Sequence, residues 1–130
     1  MAKKRSPAMP THDDIVAGLR VAAVNEAAEE YGITPAEMAK RIGVPRSTFH
    51  RKLRRNALLS GHESDALARH SSLMRKAVSV FAGDKGAARQ WLGAPQVGLG
   101  GAIPSEFAGT TFGFREVEKL LTRINYGVYA

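Results

Sequence analysis

The stretch Thr34-Pro35-Ala36-Glu37-Met38-Ala39-Lys40-Arg41-Ile42-Gly43-Val44-Pro45-Arg46-Ser47-Thr48-Phe49-His50-Arg51-Lys52-Leu53 decides the fold. Thr34, Pro35 and Glu37 are a helix-start signal: threonine caps, proline takes the first helical position, and glutamate reaches back to the cap. Met38, Ala39 and Ile42 then recur on one face, and Gly43 stops the helix. A second helix starts around Pro45 and runs through Arg55, with Phe49 and Leu53 turned inward. Small Ala39 lets the two helices cross closely, and Gly43 takes the backbone angle of a tight turn at little steric cost. Val44 and Phe49 plug the angle between them. This is the mechanical pattern of a helix-turn-helix, whose second helix projects its N-terminal half outward.

The outward residues suit a polyanion. From Met38 to His62 there is no acid, while Lys40, Arg41, Arg46, Arg51, Lys52, Arg54 and Arg55 all fall inside, in a chain of net charge +7. A charge run alone reads equally well as a solvated helix face. Set on the second helix of a helix-turn-helix, it points to DNA. Arg46, His50 and Arg51 would reach base edges, arginine favouring the O6/N7 edge of guanine. Ser47, Lys52, Arg54 and Arg55 are placed for phosphates. One such helix reads a short half-site, so specificity calls for a homodimer.

The flanking sequence is helical as well. Residues 1–10 form a basic arm with two prolines and no apolar period, expected to be flexible. Thr11 caps a first helix with Asp13 and Asp14 in its opening turn. Ile15, Val16, Leu19, Ala22, Ala23 and Ala27 carry that helix to about Tyr31, where Gly32 ends it. Ser60-Gly61-His62-Glu63 is a second capping box, opening a long helix with Leu67, His70, Met74, Ala77, Val78 and Phe81 along one stripe. Gly83 ends it, and Asp84 caps a short helix holding Ala87, Ala88, Trp91 and Leu92, the last two read as core. A Gly/Pro-rich loop follows from Gly93 to Pro104, then one turn at 104–107. A last helix from about Phe112 to Ile124 packs Val117, Leu120, Leu121 and Ile124. No stretch reads as a strand. The expected fold is all-α: a basic arm (1–10), a helix-turn-helix domain (11–59) and a small helical module (60–130).

Composition removes several chemistries. The 130 residues include no cysteine, which excludes disulfides, thiolate nucleophiles and zinc–thiolate sites and fits the cytoplasm. No apolar run approaches the ~18 residues that would span a bilayer, so no membrane partner is expected. His62, Glu63, Asp65 and His70 are the best candidates for a metal or acid–base group. The two histidines are eight apart, however, Glu63 is used as a cap, and His70 lies in an apolar stripe. Gly98-Leu99-Gly100-Gly101 lacks a preceding strand and a following Lys-Ser/Thr, so it reads as a tight turn. Neither a catalytic residue, nor a metal, nor a cofactor is expected, and the chain reads as no enzyme.

A set of residues in order and spacing resembles the Xre/MbcA/ParS-type antitoxins. They are Leu59-Ser60, Glu63-Ser64-Asp65, Leu67, Arg69, Ala77 to Gly83, Ala88 to Leu92, Pro95, Leu99-Gly100-Gly101, Pro104, Thr110, Gly113 and Val117-Glu118. The ending Arg123-Ile124-Asn125-Tyr126-Gly127-Val128-Tyr129-Ala130 is the most specific part. One departure stands out. Ala108-Gly109 replaces the usual Leu-Asp pair before Thr110, which leaves the start of the last helix expected to be less well packed and capped.

The resemblance implies a partner: a cognate RES-domain toxin, which resembles ADP-ribosyltransferases and consumes or transfers from NAD. It implies that the C-terminal module binds the toxin and that its tail obstructs the NAD pocket. The complex, often higher-order, would repress its own operon by binding operator DNA. The toxin-binding residues would be Arg123, Asn125, Tyr126, Gly127, Val128, Tyr129 and Ala130. Tyr126 and Tyr129 offer flat faces with little rotamer entropy, and Gly127 lets the chain bend between them. The Ala130 carboxylate can pair with an arginine, and Arg123 with a toxin acid. On the residues alone, the favoured reading of the two tyrosines is that they fold back onto their own core. A stand-alone regulator whose C-terminal half only dimerises is the competing reading.

Overall fold

The computed structural model describes residues 9–125, and of Val16 and Ala17 the backbone alone. The described chain is all-helical. Its α-helices are α1 (His12–Ala17), α2 (Ala23–Tyr31), α3 (Pro35–Arg41), α4 (Arg46–Arg54), α5 (Gly61–Val80), α6 (Lys85–Leu92), α7 (Pro104–Phe107) and α8 (Thr111–Asn125), with a 3-10 turn at Val97–Leu99. There is no strand among the described residues; Arg20 and Leu58 form an isolated antiparallel bridge.

The capping signals work as local chemistry demands. Thr11 Oγ1 accepts from the Asp14 N–H at 3.2 Å while Asp14 accepts from the Thr11 N–H at 2.9 Å. Ser60 and Glu63 make the same reciprocal pair at 3.1 and 2.9 Å. Thr34 takes the Glu37 N–H, but its hydroxyl then donates to the Glu37 carboxylate, so that box closes on the side chain and not on the backbone. Asp84 Oδ1 caps α6 through the Ala87 N–H at 3.0 Å.

The first helix expected over 11–31 is two helices. Gly18 has φ +96°, and a Cβ there would lie 2.6 Å from the Leu59 carbonyl oxygen. The chain around it turns to pair with distant partners. The Leu19 N–H donates to Ser64 Oγ at 2.8 Å. Leu59 N–H donates to Leu19 O at 2.7 Å, and Val21 N–H to Ala57 O at 3.0 Å. These long-range bonds outweigh the few helical bonds that an uninterrupted segment would have gained. The register changes too: Val21 and Val24 are fully buried, whereas Ala22 is exposed.

α5 is the shared spine. It packs against α1 and α2 and against α6 and α8. One apolar core follows, joining Val24, Met38 and Phe49 to Leu67, Leu73, Leu92, Val117 and Leu121. Two polar contacts tie α2 to the later helices, one at the surface and one buried. Arg89 of α6 donates from Nε to Glu30 O at 2.8 Å and from Nη2 to Glu29 O at 3.0 Å, capping the end of α2. Tyr31 donates its hydroxyl to His70 O.

The start of α8 is held by Thr110, whose Oγ1 accepts from the Gly113 N–H at 3.0 Å. Ala108 is buried, and Gly113 lets the α7 backbone come in so closely that any Cβ there would collide with the Phe107 carbonyl oxygen. The small residues thus tighten this elbow by allowing backbone to pack on backbone.

Candidate nucleic-acid interface and partner surface

α3 and α4 form the helix-turn-helix, with Gly43 at φ +89° in the turn. Met38, Ala39, Ile42, Val44 and Phe49 are all buried behind it. This packing leaves Arg46, Ser47, His50, Arg51 and Arg54 exposed on α4, with Arg55 exposed at its C-terminal cap. The structure therefore brings the six candidate DNA contacts to one open helix surface.

Lys52 behaves differently from its neighbours. It is half-buried and its Nζ lies 3.3 Å from Glu63 Oε1. The acid-free run ends at Glu63, and the first carboxylate beyond it draws the nearest cation inward. Burial acts against the Glu63 charge, but bonds from the Ser60 N–H and Lys52 outweigh it and hold the carboxyl below its ordinary value. Arg20 is among the cations to which the sequence assigns no role. Arg20 is exposed and donates to Asn56 O at 3.2 Å, just beyond the end of α4. The two residues lie 36 apart in sequence, and no local pattern signals the approach.

The acid–base candidates are each accounted for separately. His62 is exposed, Glu63 serves the cap and Lys52, and Asp65 pairs with Arg69. His70 is buried, edge-on to the Tyr31 ring. Its ring is pushed down to about 4 by burial first, with Arg41 and Arg69 adding repulsion. Among the described residues no three His, Asp or Glu come together as metal ligands, and no helix is long and apolar enough to cross a membrane.

The second surface is built by α6 to α8. Leu92 is fully buried as expected. Trp91 is only half-buried, packing its ring 6.2 Å from that of Phe81. Val117, Leu120 and Leu121 of α8 face the core, and Arg123 and Asn125 stand exposed at its end. The candidate contacts Tyr126, Gly127, Val128, Tyr129 and Ala130 lie outside the described residues.

The sequence reading missed Phe112, which is 69% exposed. The signal was available: Phe112 shares its helix face with Glu116, Lys119 and Arg123, at i+4, i+7 and i+11, and not with Val117 and Leu121. Val97, on the 3-10 turn, is a second exposed apolar residue.

Comparison with known proteins matches this division of surfaces. Residues 10–69 match the antitoxin Xre-like helix-turn-helix domain. Residues 76–127 match the antitoxin Xre/MbcA/ParS C-terminal toxin-binding domain. An "Antitoxin Xre" from Yersinia enterocolitica is 31% identical over 118 residues, covering 91% of this chain and 80% of the relative. One from Pseudomonas putida is 30% identical over 116 residues, covering 89% and 71%. One from Photorhabdus laumondii is 29% identical over 111 residues, covering 85% and 75%. A basic helix-turn-helix joined through one long helix to a toxin-binding half, matched along nearly the whole chain, places this protein in the Xre family of antitoxins.

Proposed function

We propose that this antitoxin neutralises a cognate RES-domain toxin by laying its C-terminal segment, from Arg123 to Ala130, across the toxin's NAD pocket. It represses its own operon in the cytoplasm as a homodimer within a larger toxin–antitoxin complex. Operator contacts come from Arg46, Ser47, His50, Arg51, Arg54 and Arg55. The observation that supports this most is the toxin-binding match running to residue 127, into the aromatic tail. The RES identity rests on the residue set from Leu59 to Val117-Glu118 that resembles the antitoxins of such systems. Arg123 and Asn125 stand exposed where α8 hands the chain to that tail. The protein itself is a binder and regulator, with no catalytic step of its own.

The experiment is removal of Tyr126–Ala130 in cells that co-express the neighbouring toxin gene. The truncated chain should fold and bind operator DNA as before, yet NAD loss and toxicity should return. Continued protection with NAD preserved overturns the plug.

A further inference from the structure

The exposed face of α8 carries an aromatic residue that its own fold does not need. Phe112 stands 69% exposed at the first turn, touching Phe107 edge-on with ring centroids 6.5 Å apart. Its backbone is held locally: Thr110 caps the helix, and Gly113 lets the Phe107 carbonyl come in at a distance no side chain would permit. A large apolar group in water on a rigid support has already lost the freedom that binding usually removes. Beyond it on the exposed side lie Arg115, Lys119 and Arg123. Glu116 pairs with Lys119 at 3.1 Å, and Glu118, half-buried like Glu116, follows Arg115 at i+3, which leaves three cations against two acids. The face is therefore a ring beside surplus positive charge, about 16 Å long from Phe112 to Arg123 at 1.5 Å per residue.

We infer that Phe112 is an anchor for the toxin, filling an apolar pocket on it the size of a phenyl ring, with toxin carboxylates set against Arg115 and Arg123. Two observations fix the occupant. Phe112 and its basic neighbours lie inside the segment that matches a toxin-binding domain. Their charge also disfavours a second copy of this chain, which carries net charge +7. The inference rests on the proposed antitoxin reading and adds to it. The anchor supplies affinity, whereas the tail supplies inhibition.

The test measures affinity of full-length chains for the purified product of the adjacent toxin gene, at two salt concentrations, beside thermal melts and operator gel shifts. Phe112→Ala should melt and bind operator like the parent but lose about 30-fold in toxin affinity, the scale of one hot-spot residue. Phe112→Leu should recover part of it, and Arg115→Glu should slow association most at low salt. The Tyr126–Ala130 truncation should keep most of the affinity while losing inhibition. Parent-like affinity in Phe112→Ala overturns the anchor while leaving the plug standing. Loss of self-association with toxin affinity intact assigns the face to a second copy and overturns it too. A parent chain that does not bind the toxin at all ends both the anchor and the antitoxin reading.

Discussion

The phenol of Tyr31, at the end of α2, donates a 2.5 Å hydrogen bond to the carbonyl of His70 in the middle of α5, and the two rings meet edge to face 5.9 Å apart. Both groups are buried, and burial raises the Tyr31 pKa above its ordinary value. This contact ties the helix before the DNA-reading pair to the helix that supports the toxin-binding half. Tyr31→Phe removes the bond and leaves the packing. Loss of about 1 kcal/mol in urea unfolding is expected, with one transition retained.

His70 makes stability depend on pH. Its ring releases a proton at about 4 in the fold, against 6.5 ordinarily. As pH falls through 6.5 the unfolded chain takes up a proton that the folded chain refuses, so the stability tied to His70 drains between about 6.5 and 4 and levels off below. At pH 5 the loss should be about 2 kcal/mol relative to pH 7.5. Urea midpoints across that range measure it. In His70→Leu the loss between pH 6.5 and about 5 should disappear, whatever the variant's absolute stability, while Glu63, held below its ordinary value, keeps a loss at lower pH.

Arg89 is a surface side chain with an inward task. Arg89→Ala strips two donors from the last carbonyls of α2 and should cost about 1 kcal/mol, the exposed setting keeping the loss small. Arg89→Lys should recover only part, because an ammonium does not reproduce the fork. Denaturant titration of the three proteins distinguishes these outcomes.

Two glycines on helices should answer alanine oppositely. Gly113→Ala drives a methyl into the Phe107 carbonyl and should destabilise by about 3 kcal/mol or split α7 from α8. Gly61→Ala meets nothing nearer than the Ile15 carbonyl at 3.8 Å and should be neutral or stabilise by about 0.5 kcal/mol. Paired thermal melts check both.

Arg46→Ala and Arg51→Ala should each weaken operator binding, by about 1–3 kcal/mol where the side chain reads a base edge. Neither should alter toxin neutralisation. Gel shifts and a toxicity assay on the same variants test this, and normal shifts for both would remove α4 as the reader.

Much of the fold was legible because its signals are local. Thr11, Ser60 and Asp84 announce helix starts through side chains that reach only three residues ahead. Phe49 and Met38 declare the inner face of the helix-turn-helix by spacing alone. The break at Gly18–Ala22 was not legible, since its cause lies in Ala57, Leu59 and Ser64, some forty residues on. The close approach at Gly113 was not legible either, since the Phe107 carbonyl it admits belongs to the preceding helix. At the candidate sites, the outward arginines of α4 followed from period and charge. Phe112 escaped because an aromatic in a helix is expected to face inward, and only its alignment with Glu116 and Lys119 says otherwise.

The spine formed by α5 has a consequence for how this protein is removed. Because DNA reader and toxin holder draw on one core, neither half is a free-standing unit that survives loss of the other. A degradation machine that grasps either terminus and pulls would collapse both in a single stroke, so DNA binding and toxin binding would lapse together.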